Sequence, residues 1–367
     1  MVEHINIYSM NKELILAINP GSTSTKIAVF KNTKEVFLKN IKHTREKLKE
    51  FKKITDQYSF RKQIILEELE SASFDVNKIR VIVGRGGLVK PIPSGVYRVN
   101  DRLVEDLKIG IMGQHASNLG GLIARDLADS IPDAEAFIAD PVVVDELEDI
   151  ARISGHPLFE RVSIFHALNQ KAIARQHGKS VSRSYDELNL VVAHLGGGIS
   201  VGAHYKGRVI DVNQALNGEG PFSPERSGTL PSGALVEMCF SGKYTKEEID
   251  CMITGQGGLV AYLGTNDAYE VEKLAAAGDD KALLIQNAMA YQVSKEIGAM
   301  STVLKGAVDA ILLTGGIAYG KPFVESVSER VRHIGPVFVY PGEDEMRALA
   351  MNGLMVFNGE SEALEYE

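Results

Sequence analysis

One small-residue turn occurs twice in this chain, and a repeated turn points to a repeated fold. Residues 15–30 and 191–205 each run as an apolar strand into glycine and hydroxyl residues, then leave as a second strand. Each second strand ends at a lysine-containing turn, Lys31-Asn32 and Lys206-Gly207. A single one-residue gap aligns the two segments. Two such hairpins facing each other across a cleft can hold a polyphosphate between them. Internal similarity of this kind constrains the architecture more than any local propensity.

The flanking patterns repeat as well. Strands are expected at 13–18, 25–31 and 34–40, a helix at 56–73, a strand at 80–83, a helix at 113–129 and a strand at 134–139. From residue 189 the order restarts. Strands at 190–194, 200–205 and 208–212 precede helical stretches at 231–241, 245–253 and 268–305. A strand at 310–314, a helix, a strand at 337–340 and a final helix near 344–357 follow. The polar stretch around residue 180 sets the expected boundary: an N-terminal lobe of 1–182 and a C-terminal lobe of 183–341, with the helix 342–357 packing back on the first lobe. The acidic tail 360–367 is expected to fray.

Bulk properties narrow the function. A length of 367 residues suits two domains, and 44% hydrophobic with 24% charged residues is a globular composition. The net charge of −8 argues against a nucleic-acid surface. Cys239 and Cys251 are too few for a disulfide framework and lack metal-ligand spacing, as in a reducing compartment. Neither a signal-peptide pattern nor a bilayer-length apolar run is visible, so a cytoplasmic enzyme is expected.

Open α/β sheets place ligands beyond the carboxyl ends of their strands. Five such ends carry glycine or polar residues: Asn19–Lys26, Gly84–Gly87, Asp140, Gly196–Gly198 and Gly315–Gly316. Glycine lets backbone N–H groups approach a phosphate, and serine and threonine hydroxyls add donors. Neither GxxxxGK[ST] nor GxGxxG after a strand is present, so a phosphate-binding reading rests on the paired hairpins.

The segment Asn19-Pro20-Gly21-Ser22-Thr23-Ser24-Thr25-Lys26 resembles the first phosphate segment of the acetokinase family, and His194-Leu195-Gly196-Gly197-Gly198 resembles the second. Pro224-Glu225-Arg226-Ser227-Gly228 is similar to the family's arginine motif, and Leu313-Thr314-Gly315-Gly316-Ile317 to its adenosine segment. The blocks keep the family's order from Ile15 to about Met351. The stretch Gly84–Tyr97 resembles the butyrate kinase form rather than the acetate kinase form. The resemblance implies an α/β fold of duplicated ribonuclease H-like, actin-like ATPase domains (βββαβαβα) with an interdomain cleft. It also implies ATP and Mg²⁺, a small carboxylate substrate and a homodimer or higher homo-oligomer. One departure stands out: acetate kinases carry asparagine where Gly197 sits, so backbone N–H groups would have to replace that side chain.

The implied reaction moves the γ-phosphoryl of ATP to a short fatty-acid carboxylate such as butyrate, giving an acyl phosphate and ADP. By this resemblance Arg85 and Arg226 neutralise charge, and His166 stabilises the transferring phosphoryl. His115 lies near the acyl substrate, where Arg85 also serves. Asp140 is the metal-side carboxylate. The nucleotide set is Asn19, Gly21, Ser22, Ser24, Lys26, His194, Gly196, Gly197, Gly198, Gly315, Gly316 and Ile317. A second metal carboxylate is expected among Glu343, Asp344 and Glu345, with Glu345 favoured. On local sequence alone, Asp140 before Pro141 also fits a turn cap, and Lys26 a solvated strand-end lysine. Acetate, propionate and branched acids remain alternatives to butyrate, since a methylene is worth only about 1–3 kcal/mol of discrimination. An actin- or Hsp70-like ATPase without a carboxylate acceptor is the rival of a different class.

Overall fold

The computed structural model describes residues 14–367, so expectations touching residues 1–13 lie outside the described residues. The described residues divide into two compact units, 14–143 with 344–367, and 144–343.

The first unit is built on a six-stranded sheet of order β3-β2-β1-β4-β6-β5. Its strands are β1 (Leu14–Pro20), β2 (Ser24–Lys31), β3 (Lys34–Lys42), β4 (Ile79–Arg85), β5 (Val96–Arg98) and β6 (Glu135–Ala139). β1 is central and buried along its whole length, which explains its nearly continuous apolar run. It pairs antiparallel with β2 and parallel with β4. The edge strand β3 is largely exposed and carries Lys34, Lys39 and Lys42, charges that discourage further strand pairing.

Alternation along β4 decides which helix covers which face. Gly84 faces the helix Asn118–Ser130, where an added Cβ would come within 2.2 Å of Gly120 O. Val81 and Val83 face the helix Glu345–Phe357, whose Gly353 admits them closely. The last helix is therefore a wall of the first unit, although it is distant in sequence.

The second unit has a five-stranded sheet of order β11-β10-β7-β8-β9. The strands are β7 (Asn189–Leu195), β8 (Ile199–Tyr205), β9 (Arg208–Val212), β10 (Ala310–Gly315) and β11 (Val337–Pro341). Pairing repeats that of β1, β2, β3, β4 and β6, antiparallel through the hairpins and parallel beyond. The hairpin tips differ by one residue: Pro20 pairs with Thr25 across four, Leu195 with Ile199 across three. Val191, Ala193, Ile311 and Leu313 pack with the helix Asp280–Val303, while Leu190, Val192, Ala310 and Leu312 pack with Ala174 of the helix Ala167–Ser180.

That last contact corrects the expected boundary at 182/183. The helix Ala167–Ser180 covers one face of the second sheet, so residues 144–182 group with the second unit. Two smaller expectations also change. The stretch 268–305 is two helices, Ala268–Ala276 and Asp280–Val303, interrupted at Gly278 (φ +94°) and restarted by the cap of Asp279. The tail is not frayed: Leu364 pairs with β5, and buried Tyr366 bonds Asp106 at 2.7 Å. Both cysteines are free and exposed. Among the described residues, no helix is long and apolar enough to cross a membrane.

Candidate active site

In the first unit the turn after β1 is held from beneath. Its four carbonyl oxygens are engaged within the protein: Gly21 O, Ser22 O and Ser24 O accept from the Arg61 guanidinium at 2.8, 3.3 and 2.8 Å, and Thr23 O accepts from His43 N at 2.9 Å. Arg61 also donates to Thr25 Oγ1 and to Gln57 Oε1. Among the described residues its hydrogen bonds all go to uncharged oxygens. Burial lowers the Arg61 pKa to about 10, which leaves it a cation at neutral pH. With three of its carbonyls turned onto that cation, the turn's remaining polar groups suit an anion. Ser22 is exposed, Ser24 half-buried, and Asn19 buried at the strand end. Lys26 pairs across the hairpin with Asn19.

Arg61 escaped the sequence reading although it left a signal. It stands at i, i+4 and i+8 with Ile65 and Leu69 on the buried stripe of the helix Tyr58–Ser71, an arginine in a core position. His43 was missed too. Its Nε2 lies 2.8 Å from Thr25 Oγ1, and burial with the Arg61 charge lowers its pKa to about 4, so the ring is neutral at neutral pH.

Beside this turn, Arg85 Nη1 donates to Glu345 Oε2 at 3.1 Å and to Asn19 Oδ1 at 3.3 Å, and Asn19 Nδ2 also reaches Glu345 Oε2. Three expected site residues thus meet in one cluster. Asp140 sits at the end of β6 with φ +38°, 2% exposed, its Oδ1 accepting from Ser94 Oγ at 2.6 Å and Gly95 N at 3.0 Å. His115 is exposed ahead of the helix Asn118–Ser130, with Nδ1 2.8 Å from Ser117 Oγ.

The three acids after Gly342 take different places. Glu343 Oε1 lies 3.1 Å from His194 Nε2, Asp344 caps the last helix at Arg347 N, and Glu345 joins Arg85. Among the described residues no group of three or more His, Cys, Asp or Glu could enclose a metal. Mg²⁺ commonly uses only one or two carboxylates, completing its shell with phosphate oxygens and water. The hard oxygens of Asp140 and Glu345 fit that donor chemistry.

In the second unit, His194 and His166 stack 3.8 Å apart at 13°. His194 Nδ1 lies 2.8 Å from Asn169 Oδ1, and His166 Nδ1 2.9 Å from Ser200 Oγ. Arg226 bonds Ala215 O and lies against the Gly196–Gly198 turn, where a Cβ on Gly198 would collide with its guanidinium. Burial lowers its pKa and Glu225 opposes the shift. Ser223 Oγ pins Gly197 O at 2.6 Å.

A cavity of about 510 Å³ opens beside this turn, lined by Gly196, Gly197, Gly316, Ile317, Tyr319 and Phe323, among others. That is the volume range of small-molecule sites. A Cβ on Gly316 would meet nothing within 4 Å, and one on Gly197 only Glu225 at 3.8 Å. Gly315 differs: its φ of +93° and its approach to Leu195 O demand glycine for the fold itself.

The acetokinase family profile matches residues 160–338. Butyrate kinase 2 of Clostridium acetobutylicum is 55% identical over 353 residues, 96% of this chain and 99% of that protein. The crystal structure of Porphyromonas gingivalis acetate kinase superposes with a TM-score of 0.76 at 17% identity, covering 94% of this chain and all of that one. A Francisella tularensis propionate kinase gives 0.72 at 20% identity over 93% and 98% of the two chains. The fold, with its two mixed sheets, is shared with these acetate and propionate kinase structures. The chain belongs to the acetokinase family.

Proposed function

We propose that this chain is a butyrate kinase, transferring the γ-phosphoryl of ATP to butyrate by direct in-line attack to give butanoyl phosphate and ADP. The relative with 55% identity over nearly the whole chain supports the carboxylate acceptor. The observation that carries the chemistry is the seating of half-buried Arg226 against the Gly196–Gly198 turn, beside an open cavity. A carboxylic acid with a pKa near ~4–5 is already ionised at neutral pH, so the acceptor needs no general base. Bringing two anions together needs positioning and charge neutralisation instead.

In this reading the Gly316 cavity takes the adenosine. The turns at Asn19–Lys26 and Gly196–Gly198 supply phosphate donors, with Lys26 and His194 adding charge or hydrogen bonds. Arg85, held by Asn19 and Glu345, meets the incoming carboxylate, and His115 borders the acyl chain. Arg226 and His166 stabilise the transferring phosphoryl, and Asp140 with Glu345 would hold Mg²⁺. That ion supplies charge neutralisation across the phosphate oxygens. Planar guanidinium groups suit the task because they contact two oxygens at once.

Homo-oligomeric assembly completes the proposal, and sedimentation would test it. The deciding experiment is a hydroxamate assay for acyl phosphate with acetate, propionate, butyrate, isobutyrate and isovalerate, run also on Arg226→Ala. Butyrate should give the highest kcat/KM, and the variant should lose roughly 10²–10³ in kcat. Undiminished activity would remove Arg226 from the mechanism.

A further inference from the structure

Behind His166 runs a buried chain of hydrogen bonds whose direction can be fixed at one atom and followed to the other end. Gln170 Nε2 lies 3.0 Å from Ser200 O, a backbone carbonyl that can only accept. The Gln170 atom facing it must therefore be the NH₂, and Oε1 faces the other way. That Oε1 lies 2.9 Å from His204 Nε2, so His204 carries its proton on Nε2. Its Nδ1, 2.7 Å from Tyr185 Oη, accepts the phenolic hydrogen. Burial first, with the Lys171 and Arg175 charges, holds the His204 pKa well below its ordinary value, in keeping with a neutral ring.

In the other direction, Gln170 Nε2 also donates to Ser200 Oγ at 2.8 Å. The backbone N–H of His166 points at the same oxygen at 3.4 Å. With donors arriving on its lone pairs, the hydroxyl directs its own hydrogen to the remaining partner, His166 Nδ1, 2.9 Å away. Gln170, Ser200 and His204 are each fully buried, so water does not compete for these positions.

We infer that the Tyr185–His204–Gln170–Ser200 relay holds His166 in the tautomer protonated on Nε2, so that the ring offers an N–H donor to the transferring phosphoryl. Gln170 and Ser200 are positioning residues that act through His166. The inference rests on the phosphoryl-facing reading of His166 given above. A second-layer partner of this sort commonly decides which imidazole nitrogen does the chemistry.

The test is a long-range ¹H–¹⁵N spectrum of the full-length protein labelled at histidine, with His166→Gln identifying the His166 signals. The expected result is an unprotonated Nδ1 and a protonated Nε2. Gln170→Glu is nearly isosteric but reverses the relay: its carboxylate takes the Ser200 hydrogen, and Ser200 Oγ must then accept from His166 Nδ1–H. That variant should show the opposite tautomer and lose about 100-fold in kcat, the scale for removing one transition-state donor, with KM for ATP and butyrate within about twofold. Ser200→Ala should shift the Nδ1 signal as its hydrogen bond disappears. A wild-type His166 protonated on Nδ1 would overturn the inference, as would a Gln170→Glu protein with the wild-type spectrum. If the wild type forms no acyl phosphate from any carboxylate, the proposed function fails, while the spectrum still decides the tautomer.

Discussion

Arg61 Nη1 donates to the backbone carbonyl of Ser24 at 2.8 Å, tying a fully buried guanidinium to a turn 37 positions earlier in the chain. The same nitrogen holds Gly21 O, so one side chain sets the shape of the whole turn. Arg61→Met keeps the stem but strands these carbonyls. Each buried acceptor left unpaired costs about 1–3 kcal/mol, and a loss of roughly 3–5 kcal/mol is expected in denaturant unfolding. Arg61→Lys should recover part of it, and both variants should raise KM for ATP.

His43 predicts an acid limb in stability. Its folded pKa of about 4 lies below the ordinary 6.5, so the unfolded chain binds more protons between those values. Its contribution is complete above about pH 6.5 and is lost as pH falls toward 4. Unfolding free energies measured across that window should flatten in His43→Gln.

The neighbours Asp344 and Glu345 should separate cleanly by mutation. Asp344 accepts from Arg347 N at the start of the last helix, so Asp344→Ala should cost about 1 kcal/mol of stability and leave the Mg²⁺ requirement unchanged. Glu345→Gln should raise the Mg²⁺ concentration needed for half-maximal rate. Titrating Mg²⁺ at saturating ATP and butyrate checks both.

Gly316 distinguishes a ligand's need from the fold's need. Because an added Cβ meets no protein atom within 4 Å, Gly316→Ala should change unfolding free energy by no more than about 0.5 kcal/mol. The methyl group would still intrude on the cavity, and KM for ATP should rise several-fold. Gly315→Ala, with its positive φ and its clash at Leu195 O, should instead destabilise the protein. A thermal melt beside an ATP titration separates the two.

Tyr366→Phe tests the docked tail. Its hydroxyl is a buried partner of Asp106 Oδ2, and Asp106 Oδ1 makes no hydrogen bond among the described residues. Removing the phenol should destabilise the first unit by about 1–3 kcal/mol, measured by chemical unfolding.

The sequence by itself determined the duplicated strand order, the two small-residue turns and the family. These are local: alternation, glycine placement and short motifs are written in neighbouring residues. Tertiary structure alone decided the rest. The helix Ala167–Ser180 joined the second unit because its apolar stripe needed the β7–β10 face, which no local signal names. The sequence did not name what Arg61, Gln170 and Ser200 hold, because each positions a partner at least 30 positions away. Glu343, Asp344 and Glu345 are adjacent in the chain yet serve a histidine, a helix cap and an arginine. A turn in the backbone sends consecutive side chains in different directions, and only the packed fold says what each one meets.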